Sequence, residues 1–129
     1  MSLKITLKPH ERMILGTAVI KNGKNRTDLI VENNVSILRE KDILSEDNAD
    51  TPCKKIYFVI QLMYVDNGNI VKYHNLYWTL IKDVIKAAPS TLVIIDQISE
   101  LIIANNLYNA LKLARKLIEY EQEVISRAS

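Results

Sequence analysis

Eight lysines and arginines fall in the first 44 residues: Lys4, Lys8, Arg12, Lys21, Lys24, Arg26, Arg39 and Lys41. Five Asp/Glu oppose them, leaving a surplus of three positive charges, whereas residues 45–129 hold nine basic against ten acidic residues. The formal net charge of +2 thus hides a basic N-terminal third, an asymmetry that matters when the partner is a polyanion. Strand alternation in "LKITLK" puts Lys4, Thr6 and Lys8 on one face, and Leu3, Ile5 and Leu7 on the other. Charged side chains on such a face can reach phosphates, and exposed strand backbone can reach base edges. From charge alone, a soluble sheet face with no ligand accounts for these residues at least as well.

The other chemistry-bearing residues read more simply. His10 follows Pro9 in a turn and His74 lies beside charged Lys72. With no Ser, Cys or Asp placed to complete a triad, both read as solvated surface histidines. Cys53 opens a helix beside Lys54 and Lys55, where a thiol pKa can fall; a small residue in the first turn is the simpler reading. "YHNLYW" (residues 73–78) offers rings that could stack on bases, but helical spacing makes Tyr73, Tyr77 and Trp78 core or interface residues. Tyr57, Tyr64, Tyr108 and Tyr120 are too dispersed for a stacking platform. "EYEQE" (residues 119–123) reads as a solvated helix face.

Composition excludes several classes. One cysteine and two histidines cannot make a disulfide or a zinc site. No secretory signal is expected, because Lys4, Lys8, Glu11 and Arg12 interrupt the N-terminus. "TLVIIDQISELIIA" is broken by Asp96 and Glu100, so no membrane span is expected. A reduced, cytoplasmic setting follows. No phosphate loop, metal cluster or nucleophile motif is present, so the chain reads as non-enzymatic, with no cofactor and no small-molecule ligand.

Two periods organise the chain. Through residue 44 the pattern has period two: "LKITLK", "ERMIL", "TAVIKN", "TDLIVE" and "VSIL" read as five short strands. Asn22-Gly23 carries the signature of a type I′ hairpin turn. "VSIL" then runs into the charged cluster "REKD" before turning apolar again at Ile43-Leu44, which would anchor the exit of the sheet. After the acidic connector "SEDNAD" (residues 45–50), Thr51-Pro52 gives an N-cap and a first helical position. Ile56, Val59, Ile60 and Met63 share one face of that helix, and Phe58, Leu62 and Val65 a second. A second helix carries Ile70, Tyr73, Tyr77, Leu80, Ile81 and Val84, and ends at Ala88-Pro89. Ser90 caps a third, with Ile94, Ile95, Ile98 and Ile102 inward; "LVII" could be a strand, but the Pro-Ser start and the length favour helix. Asn105-Asn106 break it, and a fourth runs from Leu107 to about Ser126 with Leu111, Ala114, Leu117, Ile118 and Ile125 inward.

The blocks "LKITLKPHERM", "RTDLIVENNVSILREKDIL", "DTPCKKIYFVIQLMY", "AAPS" and "LYNALKLARKLIEYE", in that order, resemble the FlbT family of flagellar regulators. That resemblance implies post-transcriptional control of flagellin synthesis at the 5′ untranslated leader of flagellin mRNA, limiting translation and promoting decay. Some members act positively. It also implies the regulator FlaF as a partner. A weaker similarity links residues 1–44 to dimeric RNA-binding proteins of the carbon storage regulator type, whose first strand reads Leu-x-Leu-Thr-Arg-Lys-x-Gly-Glu. "LKITLKPHE" matches it at Leu3, Thr6, Lys8 and Glu11, and Arg39-Glu40 align with the Arg-Glu that closes that sheet. Leu7 stands in place of the Arg, His10 of the Gly, and Leu38 of the closing His.

The expectation is therefore an α+β chain: a small five-stranded antiparallel β module resembling the carbon storage regulator fold (1–44), for RNA binding and dimerisation, then a four-helix module (51–129). Lys4, Thr6, Lys8, Arg12, Arg39 and Lys41 form the expected RNA-binding set, in a homodimer that binds the flagellin mRNA leader. The alternative is a flagellin or export-apparatus chaperone whose helical half grips an amphipathic helix.

Overall fold

In the computed structural model, residues 2–128 are described. The fold is α+β, with five antiparallel strands followed by four helices. The strands form two small sheets rather than one. β1 (Leu3–Leu7) pairs with β4 (Thr27–Val31), and β2 (Arg12–Leu15) lies between β3 (Ala18–Lys21) and β5 (Ile37–Arg39). The chain divides into two compact units, Met1–Ile43 and Leu44–Ser129.

In the first unit, alternation sets the core. Ile5, Leu7 and Met13 are buried, and Leu15, Ile20, Leu29, Val31 and Ile37 pack on them. The outer face of β1 and β4 carries Lys4 opposite Ile30 and Thr6 opposite Asp28.

The tight hairpin is not at Asn22-Gly23. It joins β2 to β3 at Gly16-Thr17, where Leu15 pairs with Ala18. Gly16 has φ +63°, the glycine-first geometry of a type II′ turn. A Cβ there would also lie 3.2 Å from Val35 Cγ2. Asn22 acts through its side chain instead: Nδ2 donates to the carbonyls of Lys8 and Asn25, both at 2.9 Å. That ties the loop after β1 to the loop before β4. His10, the residue standing for glycine in the carbon storage regulator pattern, has a left-handed backbone at φ 63°.

The second unit follows the 3.6-residue period. α1 (Pro52–Val65) starts as its sequence dictates, with Thr51 as N-cap accepting from the Lys54 N–H at 3.2 Å and proline in the first turn. Ile56, Val59, Ile60 and Met63 are buried, as is polar Gln61. Gln61 is satisfied by both backbone groups of Leu44: its Oε1 accepts from the Leu44 N–H at 2.9 Å and its Nε2 donates to the carbonyl at 3.0 Å.

α2 (Ile70–Ala87) buries Tyr73, Tyr77, Ile81 and Val84. α3 (Leu92–Ile103) confirms "LVII" as helix. Its entry is a single 3-10 turn at Pro89–Thr91, and Ser90 does not cap it: the Ser90 hydroxyl bonds to Tyr120 instead. Asn105, at φ 58°, ends α3. α4 (Leu107–Ala128) buries Leu107, Ala110, Leu111, Ala114 and Leu117, but Ile125 is 56% exposed, against the inward position its spacing suggests. Among the described residues, no helix is long and apolar enough to cross a membrane.

Candidate nucleic-acid interface

Arg39 ends β5 opposite Met13 of β2, on the face that carries the core. Its guanidinium therefore reaches across the interior edge toward β1. Nη2 donates to the Thr6 carbonyl at 2.9 Å and to Glu11 Oε2 at 3.1 Å. One side chain thereby links the three-stranded sheet to the two-stranded one. Nε is buried with no partner, and among the described residues Nη1 has no protein acceptor either.

Glu11 is the other half of this arrangement. Its Oε1 accepts from the Lys8 N–H at 2.9 Å. That bond, with the Arg39 guanidinium beside it, holds the carboxyl below the usual glutamate range. Glu11 is thus an ionised anchor fixing both the turn after β1 and the Arg39 fork.

A cavity of about 660 Å³ opens beside this pair, lined by Lys8, Pro9, His10, Glu11, Arg39, Glu40 and Lys41. Lys41 sits in the 3-10 turn Glu40–Asp42 that follows β5, and Glu40 Oε1 accepts from the Arg12 N–H at 3.2 Å. Arg39, Glu40 and Lys41 of the charged cluster "REKD" therefore wall a concave surface.

The expected RNA-binding set divides. Lys8, Arg39 and Lys41 line the cavity. Lys4 and Thr6 lie on the outer face of β1 and share Asp28: the Thr6 hydroxyl donates to Oδ1 at 2.8 Å and Lys4 Nζ lies 3.5 Å from Oδ2. Those contacts, Thr6 foremost, hold the Asp28 carboxyl below its usual range. The Arg12 side chain does not line the cavity. Glu11 matched a sequence pattern, but its ionic role depends on Arg39, far along the chain.

In the helical unit the remaining candidates resolve differently. Cys53 is buried, and burial together with the Glu121 carboxylate pushes its thiol up to about 12. The lowered pKa that a helix N-terminus can give is overridden. Glu121 is no solvated residue of the "EYEQE" face: it accepts from the Thr51 hydroxyl and from the Cys53 N–H, capping α1 from α4. His74 is half-buried, with Nε2 buried and unpartnered, rather than a solvated histidine. Tyr73 donates to Asp66 Oδ2 at 2.6 Å, and Tyr77 hydrogen-bonds Ser99 Oγ at 2.7 Å. Both rings belong to the core. Pro52, Val84, Ala87, Val124 and Ile125 line an apolar groove of about 420 Å³ with Asp83 and Glu121 among its walls. Among the described residues, no group of three His, Cys, Asp or Glu could hold a metal.

The family model described as "Flagellar protein FlbT" matches residues 3–125. A Bradyrhizobium diazoefficiens protein named probable flagellum biosynthesis repressor protein FlbT 1 is 46% identical, covering 96% of this chain and 85% of that protein. A Rhodopseudomonas palustris protein named probable flagellum biosynthesis repressor protein FlbT is 44% identical, covering 98% of this chain and all of its own length. The flagellum biosynthesis repressor protein FlbT of Caulobacter vibrioides is 39% identical, covering all of this chain and 93% of its own. No solved structure matches the chain.

Proposed function

Because this chain belongs to the FlbT family of flagellar proteins, we propose that it regulates flagellum biosynthesis after transcription, in the cytoplasm. It binds the 5′ untranslated leader of flagellin mRNA, lowers translation and promotes decay. It does so as a homodimer formed through the β module, with FlaF as a companion regulator and no catalytic step of its own.

The cavity carrying Lys8, Arg39 and Lys41 is the observation that supports this reading. Arg39 is held in place through Nη2, leaving Nη1 for a phosphate oxygen, and a guanidinium fixed in this way suits phosphate better than a mobile lysine does. Lys8 and Lys41 add charge, and the strand edge offers backbone groups to unpaired bases.

The test is a titration of purified protein against a flagellin mRNA leader at two salt concentrations. Contact through Lys and Arg makes affinity fall steeply with salt. Absence of leader binding, or binding indifferent to salt, overturns the reading; a gel-filtration mass of one chain removes the dimer.

The apolar groove of the helical unit favours a second reading, in which the chain is a chaperone for flagellin or the export apparatus. The groove's Val84, Val124 and Ile125 are the surface an amphipathic helix would cover. Titration with flagellin in place of RNA separates the two readings.

A further inference from the structure

We propose that the cavity beside Arg39 is a nucleotide pocket in which the His10 ring stacks on one unpaired base of a single-stranded RNA. This rests on the RNA-binding reading above and adds a specificity-determining residue to it.

The backbone around His10 is pinned. Its own N–H donates to the Gly23 carbonyl at 2.9 Å, and the Glu11 N–H returns to Lys8 at 3.1 Å. Glu11 Oε1 accepts from the Lys8 N–H, and Asn22 Nδ2 donates to the Lys8 carbonyl. The ring, by contrast, is exposed and has no hydrogen bond, ion pair or ring contact among the described residues. A rigid loop thus presents an uncommitted aromatic ring.

The loop also holds His10 at φ 63°. Glycine adopts that conformation without cost, whereas a residue with a Cβ is strained there. Strain of this kind, kept in place by surrounding hydrogen bonds, collects at functional sites. Glycine would meet this turn without strain, so the backbone conformation does not itself call for an imidazole.

The position fits a base. His10 shares the cavity with Arg39, Lys8 and Lys41, so a phosphate on Arg39 Nη1 brings the attached nucleoside to the His10 side of the wall. At about 660 Å³ the cavity lies in the range that holds small organic ligands. Unpaired RNA bases are recognised by stacking on aromatic rings, histidine among them.

The test compares two probes, a short oligoadenylate RNA and an abasic oligonucleotide of the same backbone and length, by fluorescence anisotropy. His10→Gly relieves the backbone and leaves the melting temperature unchanged or raised. It weakens oligoadenylate binding roughly five-fold or more, the range of one stacked base, and leaves the abasic probe unaffected. His10→Tyr, which restores a ring, brings oligoadenylate affinity back to near wild type. Equal oligoadenylate affinity for His10→Gly and wild type overturns the pocket, and so does an equal loss on both probes, which marks a charge effect. Wild-type protein that binds neither probe but binds the flagellin leader overturns the pocket alone; protein that binds no RNA overturns the RNA-binding reading with it.

Discussion

Arg39 Nη2 lies 3.1 Å from Glu11 Oε2 while donating to the Thr6 carbonyl at 2.9 Å, so the residue proposed to hold a phosphate also joins the two sheets. An alanine substitution at Arg39 therefore mixes two effects. Charged hydrogen bonds of this kind contribute about 1.5–3 kcal/mol when well formed, and the partial exposure of Arg39 places its loss near the low end. Arg39→Ala should lower the urea midpoint as well as RNA affinity. Arg39→Lys keeps one charge but not the guanidinium fixed by Thr6 and Glu11, so RNA binding should weaken more than a charge count allows, at a salt slope close to wild type. Glu11→Gln is the sharper probe: its amide oxygen can still accept from Lys8, but the negative charge that would repel a phosphate beside Arg39 is gone. Leader affinity should rise, with a steeper salt dependence. Unchanged affinity in Glu11→Gln removes the idea that Glu11 and phosphate share Arg39.

The two β-module glycines should part company. Gly16 has φ +63° with Val35 Cγ2 3.2 Å from a built Cβ, whereas Gly23 has open space and no left-handed φ. Gly16→Ala is expected to cost about 1 kcal/mol or more. Gly23→Ala is expected to be neutral or to stabilise by up to about 1 kcal/mol, through the unfolded state. Chemical denaturation of both variants checks the pair, and the opposite order would place the hairpin at Asn22-Gly23 after all.

That contrast shows what was legible in the sequence. Local rules held where one element decides. Alternation buried Ile5 and Leu7, Thr51-Pro52 opened α1, and the 3.6 period placed Tyr77, Ile98 and Leu117 in the core. They failed where a distant partner decides. Asn-Gly is a strong turn signal, yet β3 pairs only with β2, and the Asn22 amide is used to tie loops together. Ile125 keeps the helical stripe but lies in the last turns of α4, 56% exposed. The candidate site was legible as a charge surplus on a strand pattern and, at Lys8, Glu11 and Arg39, through the resemblance to the carbon storage regulator pattern. No periodicity announces that Arg39 bonds Thr6 and Glu11, or that Lys4 spends its charge on Asp28.

Glu121 and Thr51 make a tertiary cap that can be dissected. Thr51→Ala removes the side-chain acceptor of the Lys54 N–H and the hydroxyl donor to Glu121, and is expected to cost about 1–2 kcal/mol. Glu121→Ala leaves the Cys53 N–H without its acceptor. It should lower the melting temperature and also make the thiol easier to ionise, since the Glu121 carboxylate is part of what raises it. Native protein should resist iodoacetamide in mildly alkaline buffer, and denatured protein should react at once. Rapid alkylation of the native chain would contradict a buried, protonated Cys53.

Stability should fall at both ends of the pH scale, for opposite reasons. On the acid side, Glu11, Asp28 and Asp66 have carboxyls lowered from their ordinary values of 4.5, 3.8 and 3.8 by the Lys8 N–H, the Thr6 hydroxyl and the Tyr73 hydroxyl respectively. A lowered folded pKa means the unfolded chain binds protons first. Their contribution is complete above about pH 4.5 and is lost as pH falls through the folded values. On the alkaline side, burial raises Cys53 from 9.0 and Tyr77 from 10.0, each to about 12. Here the folded chain holds its protons longer, so stability is intact below pH 9 and drains away as pH rises from there to about 12. For Tyr77, fully buried against Ser99, the shift corresponds to about 2–3 kcal/mol. Tyr77→Phe should flatten the upper part of the alkaline limb while costing about 1–2 kcal/mol near neutrality, because Ser99 Oγ loses its partner. Urea midpoints measured across the pH range for wild type, Tyr77→Phe and Cys53→Ala check both limbs. An alkaline limb unchanged in both variants would assign it to other groups.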